Sequence, residues 1–148
     1  LLRSEVAVER EALAWDRSII ANLKSEVAAG RTESGVRAFI EAWNGQPWQD
    51  LPLAVRSQFV GLADTLVAET EATSYCPLQA DMLRRLGLPV LILVGERSPA
   101  LIHHTASRAG ALIPRAEVAL IEGVDHMAPV SNPKAVAPAI EKFLERHS

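Results

Sequence analysis

Apolar residues in the first half of the chain recur at helical spacing. Ile19, Leu23 and Val27 lie four apart on one face of a segment from about Glu9 to Ala29, with Gly30 as its stop. A second helix is expected to start near Thr32 or Ser34, either of which can cap free amides. It would bury Val36, Phe39, Ile40 and Trp43 and end at Asn44-Gly45. Gln46–Leu51 reads as a short loop holding Trp48. A third helix opens at Asp50-Leu51-Pro52, with proline in the first turn where no amide donor is lost, and carries the stripe Val55, Phe59, Leu62 and Leu66. A short helical piece over Leu78–Leu86 is bounded by Pro77 and Gly87.

Beyond Gly87 the period changes. Pro89–Val94 is a continuous apolar run of β-formers ending at Gly95, the pattern of a strand buried on both faces. Leu101–Ile113 is helical, Glu117–Ile121 is a second strand, and Gly123–Val130 is a loop. Asn132-Pro133 then starts a last helix with Val136, Ile140, Phe143 and Leu144 inside. Strand, helix, strand, helix predicts two parallel strands joined by a right-handed crossover, hence an α/β fold. Residues 1–86 form a helical region and residues 87–148 the strand-bearing one. Two parallel strands alone leave both outer edges unpaired, and the first is too apolar to face water. The missing strands are expected from upstream sequence, which makes the chain a piece of something longer. Leu1 is not an initiator Met, and Leu1–Val8 lacks the makings of a signal peptide.

Composition narrows the function classes. The chain has 148 residues, 49% hydrophobic and 22% charged, with a formal net charge of -3. It is too apolar for disorder. A mildly acidic chain without a basic run offers no footprint for nucleic acid or an anionic membrane. Runs such as Leu88–Val94 fall far short of the roughly 18 residues a membrane span needs. Cys76 is a single cysteine, so no internal disulfide and no cysteine-rich zinc site can form, and it reads as a small buried residue. No metal or cofactor is expected, a cytoplasmic location fits best, and oligomeric state is left open.

In open parallel sheets, ligands sit beyond the carboxyl ends of the strands. Two loops leave such ends here: Gly95–Ala100 and Glu122–Pro129, the second holding His126. An acid on the first could orient the imidazole on the second, and an imidazole near neutrality can take and return a proton. His103 and His104 are adjacent on a helix and read as surface residues, and His147 as a frayed terminus.

Leu88–Pro99, followed by a helix, a strand and Gly123-Val-Asp-His-Met-Ala-Pro-Val-Ser-Asn-Pro133, resembles the C-terminal end of an α/β-hydrolase. The preceding helices, with Phe39-Ile-Glu-Ala-Trp-Asn-Gly45, resemble the cap inserted over the active site in many of these enzymes. The resemblance implies that His126 is the catalytic histidine. Asp125 stands where the family often has glycine, and Ser98 stands where the triad acid is most often found. A serine cannot hold a negative charge against an imidazolium. Glu96 is the carboxylate in the same loop and the alternative acid; its plainer reading is a solvated loop residue. Trp48 and Met127 are candidates for a substrate pocket, with Trp15 and Trp43 as further aromatic positions, Trp43 reading as core.

The family's Gly-x-Ser-x-Gly nucleophile elbow is absent from these residues. The chain is therefore expected to be inactive by itself and, lacking half its sheet, loosely packed or prone to aggregate. As part of a parent hydrolase it would serve a small apolar ester-like substrate. Two alternatives stand beside this: an epoxide or C–C bond hydrolase on the same fold, and a non-catalytic binding module that keeps only the ancestry.

Overall fold

The computed structural model describes residues 7–74 and 79–147. The expectations for Cys76, and for Pro77 and Leu78 at the start of the short helix, fall outside them. The described residues form two compact units, one of residues 10–74 and the other of residues 79–147 with residues 7–9. No helix among them is long and apolar enough to cross a membrane.

The helical unit holds α1 (Ala7–Ala28, which begins in the other unit), α2 (Thr32–Asn44), a 3-10 turn at Trp48–Asp50, α3 (Leu53–Gly61) and α4 (Ala63–Ser74). Its core is Leu23, Val36, Ile40, Trp48 and Ala63, with Phe39, Phe59, Val60, Leu66 and Val67 packed around it. Leu23 and Val36 are fully buried, each worth about 1.5–3 kcal/mol of apolar burial. Leu23 of α1 and Val36 and Ile40 of α2 are buried as their spacing predicts, while Ile19, Phe39 and Trp43 are half-buried.

Two details differ from expectation. Neither Thr32 nor Ser34 caps α2: Arg31 occupies the cap position without a side-chain bond, and its guanidinium is instead paired with Glu26. The single helix expected after Pro52 is two helices, broken at Leu62. Gly61, costly in a helix interior by about 1 kcal/mol, precedes a turn in which the Leu62 amide is shared among preceding carbonyls. The break leaves Leu62 exposed and brings Val60 and Val67 into the core beside Phe59 and Leu66.

The α/β unit holds α5 (Ala80–Arg84), β1 (Val90–Gly95), α6 (Ala100–Leu112), β2 (Ala116–Ile121), α7 (Ala128–Ser131) and α8 (Pro133–His147). β1 and β2 pair in parallel, from Val90 opposite Ala116 to Gly95 opposite Ile121. Residues i and i+2 share a face. Val94, Val118 and Leu120 accordingly border α6, while Leu93 and Ile121 pack with Val124, Ala128 and Val136 under α8.

Among the described residues β2 is the neighbour of β1 in a two-stranded sheet. Val94 is the one buried residue of β1, the others being half-buried, where a strand buried on both faces was expected. The same shortage shows on α8. Val136 is buried, but Ile140 and Leu144 are exposed rather than inside. The reason is geometric: strands sit about 4.8 Å apart, so two of them are narrower than a helix about 10 Å across. The end of α8 is held differently. His147, far from being frayed, places Nε2 3.1 Å from Glu117 Oε1 and stacks its ring 4.6 Å from Phe143. Arg146 pairs with the same carboxylate, whose pKa is lowered by the hydrogen bond with His147 and by the charge and hydrogen bond of Arg146.

Candidate active site

The parallel ladder carries both strands to the same end, and the loops that leave it are bonded to each other. The Glu96 amide donates to Ile121 O at 2.9 Å, continuing the ladder one step past β1. The Arg97 amide then donates to Val124 O at 2.9 Å, joining the first loop to the second. Gly123 reverses the chain after β2 with φ 69°, a left-handed conformation that glycine adopts without strain. Its amide donates to Glu96 Oε2 at 2.7 Å. Gly95 completes the arrangement, because a Cβ there would lie 2.4 Å from Asp125 O and 2.8 Å from Val124 O. The second loop passes directly across the end of β1.

That loop is ordered by Asp125. Its carboxylate is buried, and Oδ1 accepts the Met127 amide at 2.9 Å, a side-chain turn that delivers the chain into α7. The Met127 carbonyl in turn accepts the amides of Val130 and Ser131, each at 2.9 Å. The short helix α7 stands where a plain loop was expected.

His126 lies between these anchors, partly open to solvent and partly covered. Partial desolvation draws its pKa below the ordinary value of 6.5, and the charge of the adjacent Asp125 opposes the shift. The neutral imidazole thus prevails at pH 7, the form that can accept a proton. The sign for stability follows. A depressed histidine pKa favours the folded chain above about 6.5, and this contribution fades as the pH falls below it; for a partly exposed ring it is small. Replacing Asp125 with Asn keeps an oxygen for the Met127 amide but removes the charge. The His126 titration, followed by NMR of the labelled imidazole, is expected to move further down.

The other candidates fall in different places. Glu96 is engaged with Gly123, as above. Ser98 is buried, its amide bonded to Gly95 O at 3.0 Å, and its hydroxyl has no hydrogen-bond partner among the described residues. Met127 is half-buried at the start of α7. Trp48 is a core residue of the helical unit: its amide donates to Glu41 Oε1 at 2.8 Å and its indole to Glu33 Oε1 at 3.4 Å. Trp43 is half-buried between Trp15, 5.7 Å away, and Phe39, 6.2 Å away. His103 borders a shallow recess of about 280 Å³ between α6 and the sheet, lined on the strand side by Val94, Val118 and Leu120. No group of three metal-ligating side chains occurs among the described residues.

The bonds made by Gly95, Glu96 and Asp125 were not read from the sequence as one assembly. The available signal was a glycine closing each of two strands, with a carboxylate one residue beyond the first and two beyond the second.

No family profile matches the chain, and no curated protein matches it. Solved structures do. An alpha/beta hydrolase from Sphaerobacter thermophilus DSM 20745 superposes with a TM-score of 0.59 at 24% identity, over 85% of this chain and 49% of its own. The esterase RhEst1 from Rhodococcus sp. ECU1013 superposes with a TM-score of 0.67 at 22% identity, over 89% of this chain and 48% of its own. The chain spans about half the length of these structures, and at such identities the likeness is one of fold. The two-stranded parallel sheet with its helices is a partial α/β-hydrolase fold, the C-terminal portion.

Proposed function

We propose that this chain is the histidine-bearing portion of a hydrolase for small, apolar, ester-like substrates, with His126 as general base. The nucleophile and the oxyanion donors come from sequence outside residues 1–148. In this reading the imidazole takes the proton of an attacking hydroxyl and returns it to the leaving group. The single observation behind it is the pair of bonded loops at the carboxyl ends of β1 and β2, with an imidazole of lowered pKa on the second. That is where open parallel sheets keep their ligands. The esterase among the structural neighbours supports the ester class by analogy of fold alone. Hydrolysis of a short-chain nitrophenyl ester, by the polypeptide that unites this chain with the nucleophile, is the test. Turnover of that ester supports the reading, and its absence with intact folding contradicts it.

Ser98 favours a second reading. A buried, uncharged hydroxyl, unpartnered among the described residues, where an acid would serve the imidazole suits a binding module that has lost its chemistry. Such a module would bind apolar esters without consuming them.

A further inference from the structure

The loop after β1 shapes the loop after β2 through one side chain as well as through its backbone. Two of the links between them are main-chain bonds that any residue could make: Glu96 N to Ile121 O and Arg97 N to Val124 O. The bond from the Gly123 amide to Glu96 Oε2, 2.7 Å long, needs a side-chain oxygen acceptor at that reach. Gly123 is the point of reversal, with φ 69°, where the amide turns out of the strand ladder. A charged acceptor holds such an amide about twice as strongly as a neutral one.

We infer that Glu96 is a positioning residue: its carboxylate caps the Gly123 amide, fixes where the chain leaves β2, and so sets the place of His126 three residues further on. Glu96 is thereby committed to the backbone of the histidine loop rather than to the imidazole. The functional weight of this rests on the reading of His126 as a general base, but the geometry does not.

The two roles open to Glu96 make opposite demands on the same observable. The pKa of His126 is lowered chiefly by desolvation. Loosening the loop hydrates the ring and raises its titration toward the ordinary value. Removing a carboxylate that faced the ring would lower the titration instead.

The experiment is made on the polypeptide that contains this chain, with labelled histidine, in Glu96→Ala and Glu96→Gln variants. Two readouts are taken by NMR: hydrogen exchange of the Gly123 amide and the titration of the His126 ring. Glu96→Ala is expected to speed exchange at Gly123 by about tenfold and to move the titration upward. Glu96→Gln, which keeps an oxygen at the same reach, should restore most of both. A downward titration shift in both variants would make Glu96 the acid partner of the imidazole and overturn the inference. Unchanged exchange and titration in Glu96→Ala would overturn it as well. Neither readout involves turnover, so an inactive parent enzyme would count against the hydrolase reading and leave this result standing.

Discussion

Replacing His126 with alanine, in the polypeptide that joins this chain to its nucleophile, is expected to lower kcat by about 10²–10⁴-fold, the usual yield of general acid–base catalysis. At 1.36 kcal/mol for each factor of ten, that is roughly 3–5 kcal/mol of transition-state stabilisation. The fold itself should hardly notice. The loop is shaped by the Asp125 carboxylate, the Gly123 amide and the Met127 carbonyl, whose bonds alanine at position 126 leaves in place. Loss of rate without loss of melting temperature therefore separates chemistry from packing. The pH profile carries a second signature. The active form is the neutral ring, so kcat/KM of the unsubstituted enzyme should fall on the acid side with a midpoint below 6.5, because desolvation lowers the pKa. Asp125→Asn should carry that limb further down, and His126→Ala should erase it. A variant that keeps the original kcat would contradict the role.

Gly95→Ala is expected to do the reverse, acting on packing first and on rate through it. The added Cβ would fall 2.4 Å from Asp125 O, 2.8 Å from Val124 O and 2.9 Å from Asp125 C. All three are backbone atoms, so no side-chain rotation relieves the clash and the histidine loop itself must move. Overpacking of this kind costs about 1–3 kcal/mol, or several degrees of melting temperature at about 2–4 °C per kcal/mol. A displacement of His126 by about 1 Å would also cost on the order of 10² in rate in the complete enzyme. Gly87→Ala is the control, since a Cβ there meets nothing within 4 Å and should leave both melting and rate unchanged. Equal melting temperatures for the two variants would show that the loop does not press on Gly95 as described.

The division between what could and could not be read from the sequence follows the range of the forces. The two strands were legible because Pro89–Val94 and Glu117–Ile121 are compact runs of β-formers closed by Gly95 and by Glu122-Gly123. The parallel pairing followed from the helix between them. Asp125 as a turn residue was legible too, since its bond to Met127 spans two residues. Long-range partners were not. Glu96 meets Gly123 across 27 positions, and Glu117 meets His147 across 30, with no periodicity to announce either. Trp48 sits in a polar-looking loop yet enters the core, because Glu33 and Glu41 on α2 satisfy its two N–H groups. Ile140 and Leu144 face outward although their spacing is that of a buried stripe, because spacing marks a face of α8 and not what lies against it.

That mismatch bears on the hydrolase reading as much as His126 does, since the proposal draws the nucleophile from sequence outside residues 1–148. A fluorophosphonate offered to the polypeptide that contains this chain and its nucleophile is the most direct measurement. Labelling of a serine outside residues 1–148, slowed about 10²-fold or more by His126→Ala, is the result predicted. Labelling at a rate indifferent to His126, or no labelling of a folded and substrate-binding protein, would contradict it.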